Sequence, residues 1–340
     1  MTEKHIVFVT DAWKPLVNGV VRVIDAQIPI LKKRGHRVSI IEPSQFLFKI
    51  PLPFYPEIKL ALFPRRRVAR MLAELSPDAI HIVTEGPLGF AASRICTKRH
   101  IPFTTAYHSH FALYAQVYVG RFVMPLVLWY LKKLHAKAHA LMVSTGSLKR
   151  VLEELGVRSN IVIVPLGVDA ERFVRNPSPP GPALPKPVFL YFSRLSADKS
   201  PEEFLKLDLP GTKLLVGDGP ERARLETKYP TAIFTGYKHG QELVEWISKA
   251  DVLVFPSRTE TFGLVALEAM ACGVPVAAYD EMGPRDIITN GVDGYISADL
   301  KTAAIKCLAL SRDACRATAL KYSWERTADA FLKNLAWIQK

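Results

Sequence analysis

Residues 251–280 read DVLVFPSRTETFGLVALEAMACGVPVAAYD. DVLVFPS is a short apolar, β-branched run of strand type, and VPVAAYD is a second. Between them a polar loop ends at Gly263. Leu264, Leu267 and Met270 then recur on one helical face until Gly273 and Pro275 stop the run. Strand, helix and strand, with both strands apolar throughout, is the repeating unit of a parallel sheet covered by helices. The stretch also holds two acids in different surroundings. Glu260 lies in the polar loop beside Thr259 and Thr261, whereas Glu268 falls inside the apolar helix. A carboxylate there is costly unless it has a partner.

The same alternation runs outward through the chain. HIVFVT, RVSIIEP, AIHIVT, PFTTAYH, ALMVST and IVIVPLG are strand candidates in the first half, and PVFLYFS, TKLLVGDG and AIFTGY join the two above in the second. Helical periodicity fits 19–34, 121–138, 147–155, 201–207, 220–228, 241–249, 263–272 and 300–310. NPSPPGPALPKP (176–187) has six prolines, which predicts a stiff extended linker. The expected fold is α/β, with two doubly wound Rossmann-like domains facing each other across a cleft. They span 1–175 and 188–321, and an amphipathic helix in 322–340 crosses back to the first domain.

At 49% apolar and 23% charged residues, the 340-residue chain has a globular composition. No stretch approaches the roughly 20 apolar residues of a membrane span. MTEKHIVFVTDAW lacks a signal-peptide layout. Cys96, Cys272, Cys307 and Cys315 show no CxxC spacing and read as reduced packing residues of a cytoplasmic protein. The net charge of +13 is one-sided: residues 1–180 hold 25 Lys and Arg against 12 Asp and Glu, and residues 181–340 hold 20 of each. The excess is densest at KKRGHR (32–37), PRRRVAR (64–70) and WYLKKLHAKAH (129–139), which favours an anionic partner. No recognition helix or aromatic single-strand platform is present to make that partner a nucleic acid.

Several residues stand where a ligand of such sheets would bind, beyond the carboxyl ends of strands. Arg194 and Lys199 in FSRLSADKSPEEFL suit a diphosphate, or are surface charges. Gly217 and Gly219 in LLVGDGPER lack the third glycine of a dinucleotide fingerprint and read as a tight turn. The free N–H groups and dipole of a helix starting near Gly263 suit phosphate. Glu268, about one and a half turns further in, needs either an ion-pair partner or the adjacent hydroxyls of a ribose. Asn18-Gly19 forms either a turn or a point of close backbone approach. His108 and His110 end a strand. His135 and His139 are one turn apart with no third ligand, so no metal site is expected.

Together TDAWKPLVNGVVRVI, EGPLGFAA, YHSHF, VPLGVDAERF, SRLSADKSPEEFL, VGDGP, PSRTETFGLVALEAMACGVPVAA and YSWERTA resemble the retaining nucleotide-sugar glycosyltransferases of family 4, which have the GT-B fold. The E-x7-E element is the most specific part. The chain looks most like bacterial GDP-mannose-dependent α-mannosyltransferases and lipid α-glycosyltransferases. The resemblance implies catalytic roles for Glu260, His108, Arg194 and Lys199. It places Gly19 against the donor, Arg194 and Lys199 on the diphosphate, and the N–H groups of Phe262, Gly263 and Leu264 on the phosphates. Glu260 then holds hydroxyls of the transferred sugar, Glu268 the ribose, and His108 sits beside that sugar. It also implies a GDP- or UDP-sugar donor, no metal or other cofactor, and a lipid or lipid-linked acceptor. The basic half would meet an anionic membrane as a peripheral protein of the inner face of the cytoplasmic membrane. An epimerase of the same fold and a transferase to a soluble acceptor are the alternatives. Two departures stand out: the family's glycine pair is Asn18-Gly19 here, and its acid after the last glycine turn is replaced by Arg285-Asp286 in MGPRDIITNG.

Overall fold

The computed structural model describes residues 3–16, 18–52, 55–108 and 120–339. His110 and the rest of its motif after His108 lie outside them. Two compact units are present: Met1–Leu166 with Trp324–Lys340, and Gly167–Ser323.

In the first unit the strands are β1 (Lys4–Val9), β2 (His36–Ile41), the antiparallel pair β3 (Lys49–Leu52) and β4 (Tyr55–Ala61), β5 (Ala79–Ile82), β6 (Thr104–Tyr107), β7 (Ala140–Val143) and β8 (Ile161–Ile163). The helices are α1 (Gly19–Lys33), α2 (Arg65–Leu75), α3 (Pro87–Lys98), α4 (Met124–His135) and α5 (Gly146–Glu154). Six strands form one parallel sheet in the order β2-β1-β5-β6-β7-β8. Every residue of β5, β6 and β7 is buried, as expected for strands with helices on both faces. Asn18 caps α1, its side chain accepting from Val21 N, and Lys32 and Lys33 complement the dipole at the other end. The chain turns back across the sheet between β1 and β5. The loops leaving those two strands are joined through Asp11 and Thr84.

The second unit repeats the plan with β9 (Val188–Phe192), β10 (Thr212–Val216), β11 (Ile233–Phe234), β12 (Val252–Phe255), β13 (Val276–Ala278) and β14 (Gly294–Ile296). Its helices are α6 (Pro201–Lys206), α7 (Arg222–Lys228), α8 (Gly240–Ser248), α9 (Leu264–Ala271), α10 (Pro284–Ile287), α11 (Leu300–Cys307) and α12 (Arg312–Ala319). The parallel order is β11-β10-β9-β12-β13-β14, so the switch point lies between β9 and β12. Residues 176–187 contain no helix or strand. They are tied to this unit by Lys249 Nζ on Pro182 O (3.1 Å), Thr212 Oγ1 on Pro185 O (2.7 Å) and Lys186 Nζ on Asp251 (2.9 Å). The last helix, α13 (Trp324–Asn334), belongs to the first unit, where Phe331 stacks on Phe8 at 5.5 Å.

Periodicity does not predict β3, β4, β14, α2, α3, α10 or α12. The β3–β4 hairpin is only lightly buried, Ala61 being its one buried residue among the described side chains, and Leu47, Phe48 and Phe63 beside it are exposed. Helix α3 buries small residues around a wide arc, Gly89, Ala91, Ala92 and Ser93 among them, rather than a stripe of large ones.

Candidate functional site

Beyond β9 the chain passes through Arg194 into a single 3-10 turn, Ala197–Lys199. Two glycines allow this path. A Cβ on Gly217 would overlap the carbonyl of Ser193, and one on Gly219 the carbonyl of Leu195. Leu195 N donates to Asp218 O at 2.9 Å and Glu221 N to Leu195 O at 3.0 Å. The GDG turn is therefore the bed of the Arg194 loop. From beneath, the Tyr191 hydroxyl points at Arg194 O (2.9 Å) and Lys199 O (3.3 Å). Burial drives this phenol's pKa well above its ordinary value.

The loop after β12 is fastened to the same turn. Ser257 and Thr259 hydroxyls donate to Asp198 O at 3.3 and 2.9 Å. That brings Glu260 Oε1 to 2.6 Å from Lys199 Nζ, with Asp198 Oδ2 at 3.8 Å from the same ammonium. The side chains of Lys199 and Glu260 are only 17% and 18% exposed, so solvent screens the pair weakly. Next, α9 starts from Gly263 in the left-handed region (φ +97°), with no side-chain cap and no acid in its first turn. Its leading N–H groups are left as donors. Gly283, also left-handed, lets that segment close on Phe262: a Cβ there would stand 2.9 Å from Phe262 O. Arg285, one of the two departures, turns to Asp280 at 2.7 Å. Glu268 is buried in α9 and, after burial itself, helps push up the neighbouring Cys272 thiol. Arg194, Lys199, Glu260 and the residues 262–264 thus converge on one switch point, with Glu268 deeper in the helix.

Gly19 and His108 belong to the first unit. Gly19 opens α1, and among the described residues nothing beyond its neighbours and its own helix lies within 4 Å of a Cβ built on it. His108 follows β6, and burial lowers its pKa to about 4. The switch point itself is held by Asp11. Its carboxylate accepts from Thr84 Oγ1 (2.9 Å), Leu88 N (2.9 Å) and Gly89 N (3.3 Å), while Asp11 N donates to Thr84 Oγ1 at 2.7 Å. A Cβ on Gly86 would overlap that carboxylate. Burial raises Asp11 to about 6 and the adjacent Glu85 to about 8, the charge of Asp11 adding to the latter. The Tyr130 hydroxyl donates to Glu85 O at 2.5 Å, so Tyr130 is turned inward.

The family model for Glycosyltransferase Family 4 matches residues 17–172, and that for Glycosyl transferases group 1 matches residues 186–313. The chain is built as a glycosyltransferase, its first half matched by the family 4 model. The glycosyltransferase is 29% identical over 321 residues to a GDP-mannose-dependent α-mannosyltransferase of Mycobacterium tuberculosis, covering 86% of this chain and 83% of that one. It is 25% identical over 368 residues to an α-monoglucosyldiacylglycerol synthase of Streptococcus pneumoniae, covering 96% and 83%. In structure it resembles a sucrose-phosphate synthase from Thermosynechococcus elongatus with a TM-score of 0.75, at 19% identity over 97% of this chain and 98% of the other. Its fold is GT-B.

Reading the sequence missed the residues that hold this glycosyltransferase's site from below. Tyr191 sits in a fully buried strand and Thr259 in a polar loop, so neither breaks a pattern. Asp11 left a trace, as an acid directly after an apolar strand and ahead of Asn18-Gly19.

Proposed function

We propose that this glycosyltransferase moves a hexose from a GDP- or UDP-sugar to a lipid or lipid-linked acceptor at an anionic membrane face, with retention and without a metal. The observation that carries the donor half is the meeting of Lys199, Glu260, Arg194 and the uncapped start of α9 at one switch point. An ammonium has three donors. Lys199 can keep Glu260 and still take a phosphate oxygen. With Arg194 and the N–H groups of Phe262, Gly263 and Leu264 it would stabilise the charge that grows on the leaving diphosphate. Glu260, its oxygens fixed by Lys199, would accept from hydroxyls of the sugar. Glu268 would accept from the ribose, and Gly19 would let the backbone approach the donor. In the reaction the anomeric carbon–phosphate oxygen bond breaks as the acceptor oxygen bonds that carbon on the same face. The acceptor proton passes to the departing phosphate oxygen. His108, neutral through the physiological range, would serve the sugar as a hydrogen-bonding group rather than a charge.

The acceptor half of the reading rests on the first unit's surface. Phe63 (91% exposed), Leu47 (85%) and Phe48 (71%) stand beside Arg65, Arg66 and Arg67, which occupy the first turn of α2 with no acid among them. Cations are disfavoured at that end of a helix, and an anionic surface would relieve the cost. Exposed apolar groups beside cations suit a bilayer interface. Trp129, under Lys133 at 4.5 Å, and Phe122 are exposed in the same unit. Among the described residues no helix is long and apolar enough to cross a membrane. The mannosyltransferase and the glycolipid synthase among its relatives support this choice of substrates.

The test is a panel of GDP- and UDP-sugars with a membrane lipid extract, products identified by mass and anomeric configuration by NMR, run with and without chelator. A glycolipid of unchanged anomeric configuration, formed in chelator, is expected. Nucleotide release without any acceptor would favour an epimerase. Transfer only to soluble sugars would replace the lipid reading.

A further inference from the structure

Helix α1 buries Val20, Ile24, Gln27 and Leu31 as one stripe. Three are aliphatic, and Gln27 is not. The residue is 5% exposed, and its Oε1 has no hydrogen-bond partner among the described residues. A buried amide oxygen left so costs free energy unless something donates to it. The surroundings show what it faces. Gln27 lines a small, partly open cavity within the first unit, together with His81, His108, Met142, Val164 and Phe331. The cavity leaves about 10 Å³ for the centre of a water-sized sphere, close to the room one water needs.

Three polar side chains converge on this space from three elements: Gln27 from α1, His81 from β5 and His108 from the end of β6. His81 is fixed on both sides. Its Nδ1 pairs with Thr104 Oγ1 at 2.9 Å, and its ring meets Phe8 and Phe331 edge-on at 5.7 and 4.9 Å. Burial lowers its pKa to about 3, with His108 adding, and lowers His108 to about 4. Both imidazoles are therefore neutral near pH 7, and each offers one donor and one acceptor nitrogen. A water joining them to the amide has the two to four polar partners that hold a buried water in place. Gln27 also lies about two turns along the same helix that Gly19 opens, so one rigid element carries both.

We propose that Gln27 is a positioning residue for His108, joined to it and to His81 through one buried water. The inference rests on the reading that His108 serves the transferred sugar. The network favours one proton position on the His108 ring. Gln27→Leu is the variant to make. It extends the aliphatic stripe but takes one hydrogen-bond partner from the water and the two imidazoles, so a modest loss of stability accompanies it. The protein should still fold, with a melting temperature somewhat below that of the wild type. With donor KM within about twofold of wild type, kcat should fall about tenfold or more, since small misplacements of a positioned group cost that much. The ¹⁵N shifts of the His108 ring should also move toward a different tautomer balance. Unchanged kcat and unchanged His108 shifts would overturn the proposal. His108→Ala is the companion. If it lowers kcat and Gln27→Leu does not, positioning by Gln27 is wrong while the role of His108 stands. If His108→Ala leaves kcat intact, the reading of His108 fails, and the proposal with it.

Discussion

Lys199 and Glu260, 61 residues apart in the chain, meet at 2.6 Å where the loops after β9 and β12 converge. Neither needs the other for the fold, because both loops are already tied through Asp198 O and Tyr191. The pair instead sets two charges side by side at a site suited to a ligand that carries both phosphate and hydroxyl groups. Glu260→Ala should lower kcat by about a hundredfold or more while donor affinity changes little. Lys199→Ala should weaken binding of the nucleoside diphosphate itself. A double-mutant cycle on kcat/KM should give a coupling of about 1 kcal/mol or more between them. Fully additive effects would mean the 2.6 Å contact plays no part in turnover.

Glu268 is assigned a different task, and the two acids should separate kinetically. Glu268→Ala is expected to raise donor KM about tenfold to a hundredfold, the worth of a hydrogen bond to a charged group, with kcat within a few-fold of wild type. A 2′-deoxy donor gives the cross-check. It should bind the wild type about as weakly as the ribose donor binds Glu268→Ala, and the variant should no longer distinguish the two. Continued discrimination by the variant would place the ribose elsewhere.

Tyr191→Phe removes a hydroxyl that contacts both ends of the Arg194–Lys199 turn from beneath. Two part-buried carbonyls then lose a shared donor, costing about 1 kcal/mol of stability. Because those carbonyls belong to the two residues assigned to the diphosphate, donor KM should rise along with the drop in melting temperature. A drop in melting temperature with unaltered donor KM would confine Tyr191 to packing.

The extent to which the sequence foretells this site depends on where each residue's partners come from. The βαβ reading of residues 251–280 and the strand–loop placement of Arg194 needed only local pattern, and β12, α9 and β13 are where that pattern put them. The convergence of Arg194, Lys199 and Glu260 follows from strand order, because β9 and β12 are neighbours although β10 and β11 intervene in the chain. A sequence does not display that adjacency. Gly217 and Gly219 look like half of a nucleotide fingerprint, but their reason is the carbonyls of Ser193 and Leu195, more than 20 residues away. Hairpin β3–β4 was invisible for the opposite reason, since its surroundings expose the apolar residues that would normally announce a buried face.

The exposed residues beside the hairpin lead to a prediction about where the proposed lipid contact lies. Replacing Arg65, Arg66 and Arg67 by Ser should reduce co-sedimentation with anionic vesicles, at about 1 kcal/mol for each cation lost, and the loss should shrink as salt is raised. Replacing Phe48 and Phe63 by Ser should weaken binding at high salt as well, because the apolar contribution is not screened. Turnover on a water-soluble acceptor should be unaffected by either set. Equal vesicle binding by wild type and both variants would move the docking surface elsewhere, with Phe122 and Trp129 the next group to replace.

Glu85 supplies a test that depends on pH rather than on substrate. Its pKa is raised to about 8 by burial, with Asp11 adding, from an ordinary value of 4.5. The folded chain thus holds this proton more tightly than the unfolded chain, and stability must fall as pH rises from the unfolded value toward 8. Asp11, raised to about 6, acts with the same sign at lower pH. His81, His108 and His135, lowered to about 3, 4 and 3, act with the opposite sign, and their contribution is complete only about one unit above 6.5, where the unfolded imidazoles have lost nearly all their protons. The buried thiols, raised to about 12 from 9.0, begin to matter only higher. From about pH 7.5 to 8, then, Glu85 dominates among the shifted groups. Thermal unfolding of the wild type should lose stability across that window, by at most about 1.4 kcal/mol per pH unit. Glu85→Gln, a neutral isostere, should show a flat profile there and be the more stable protein at pH 8. Parallel profiles for the two proteins would mean that Glu85 is already ionised at neutral pH, so that Asp11 and Glu85 face each other as two charges and the inward-turned Tyr130 hydroxyl caps a charged loop.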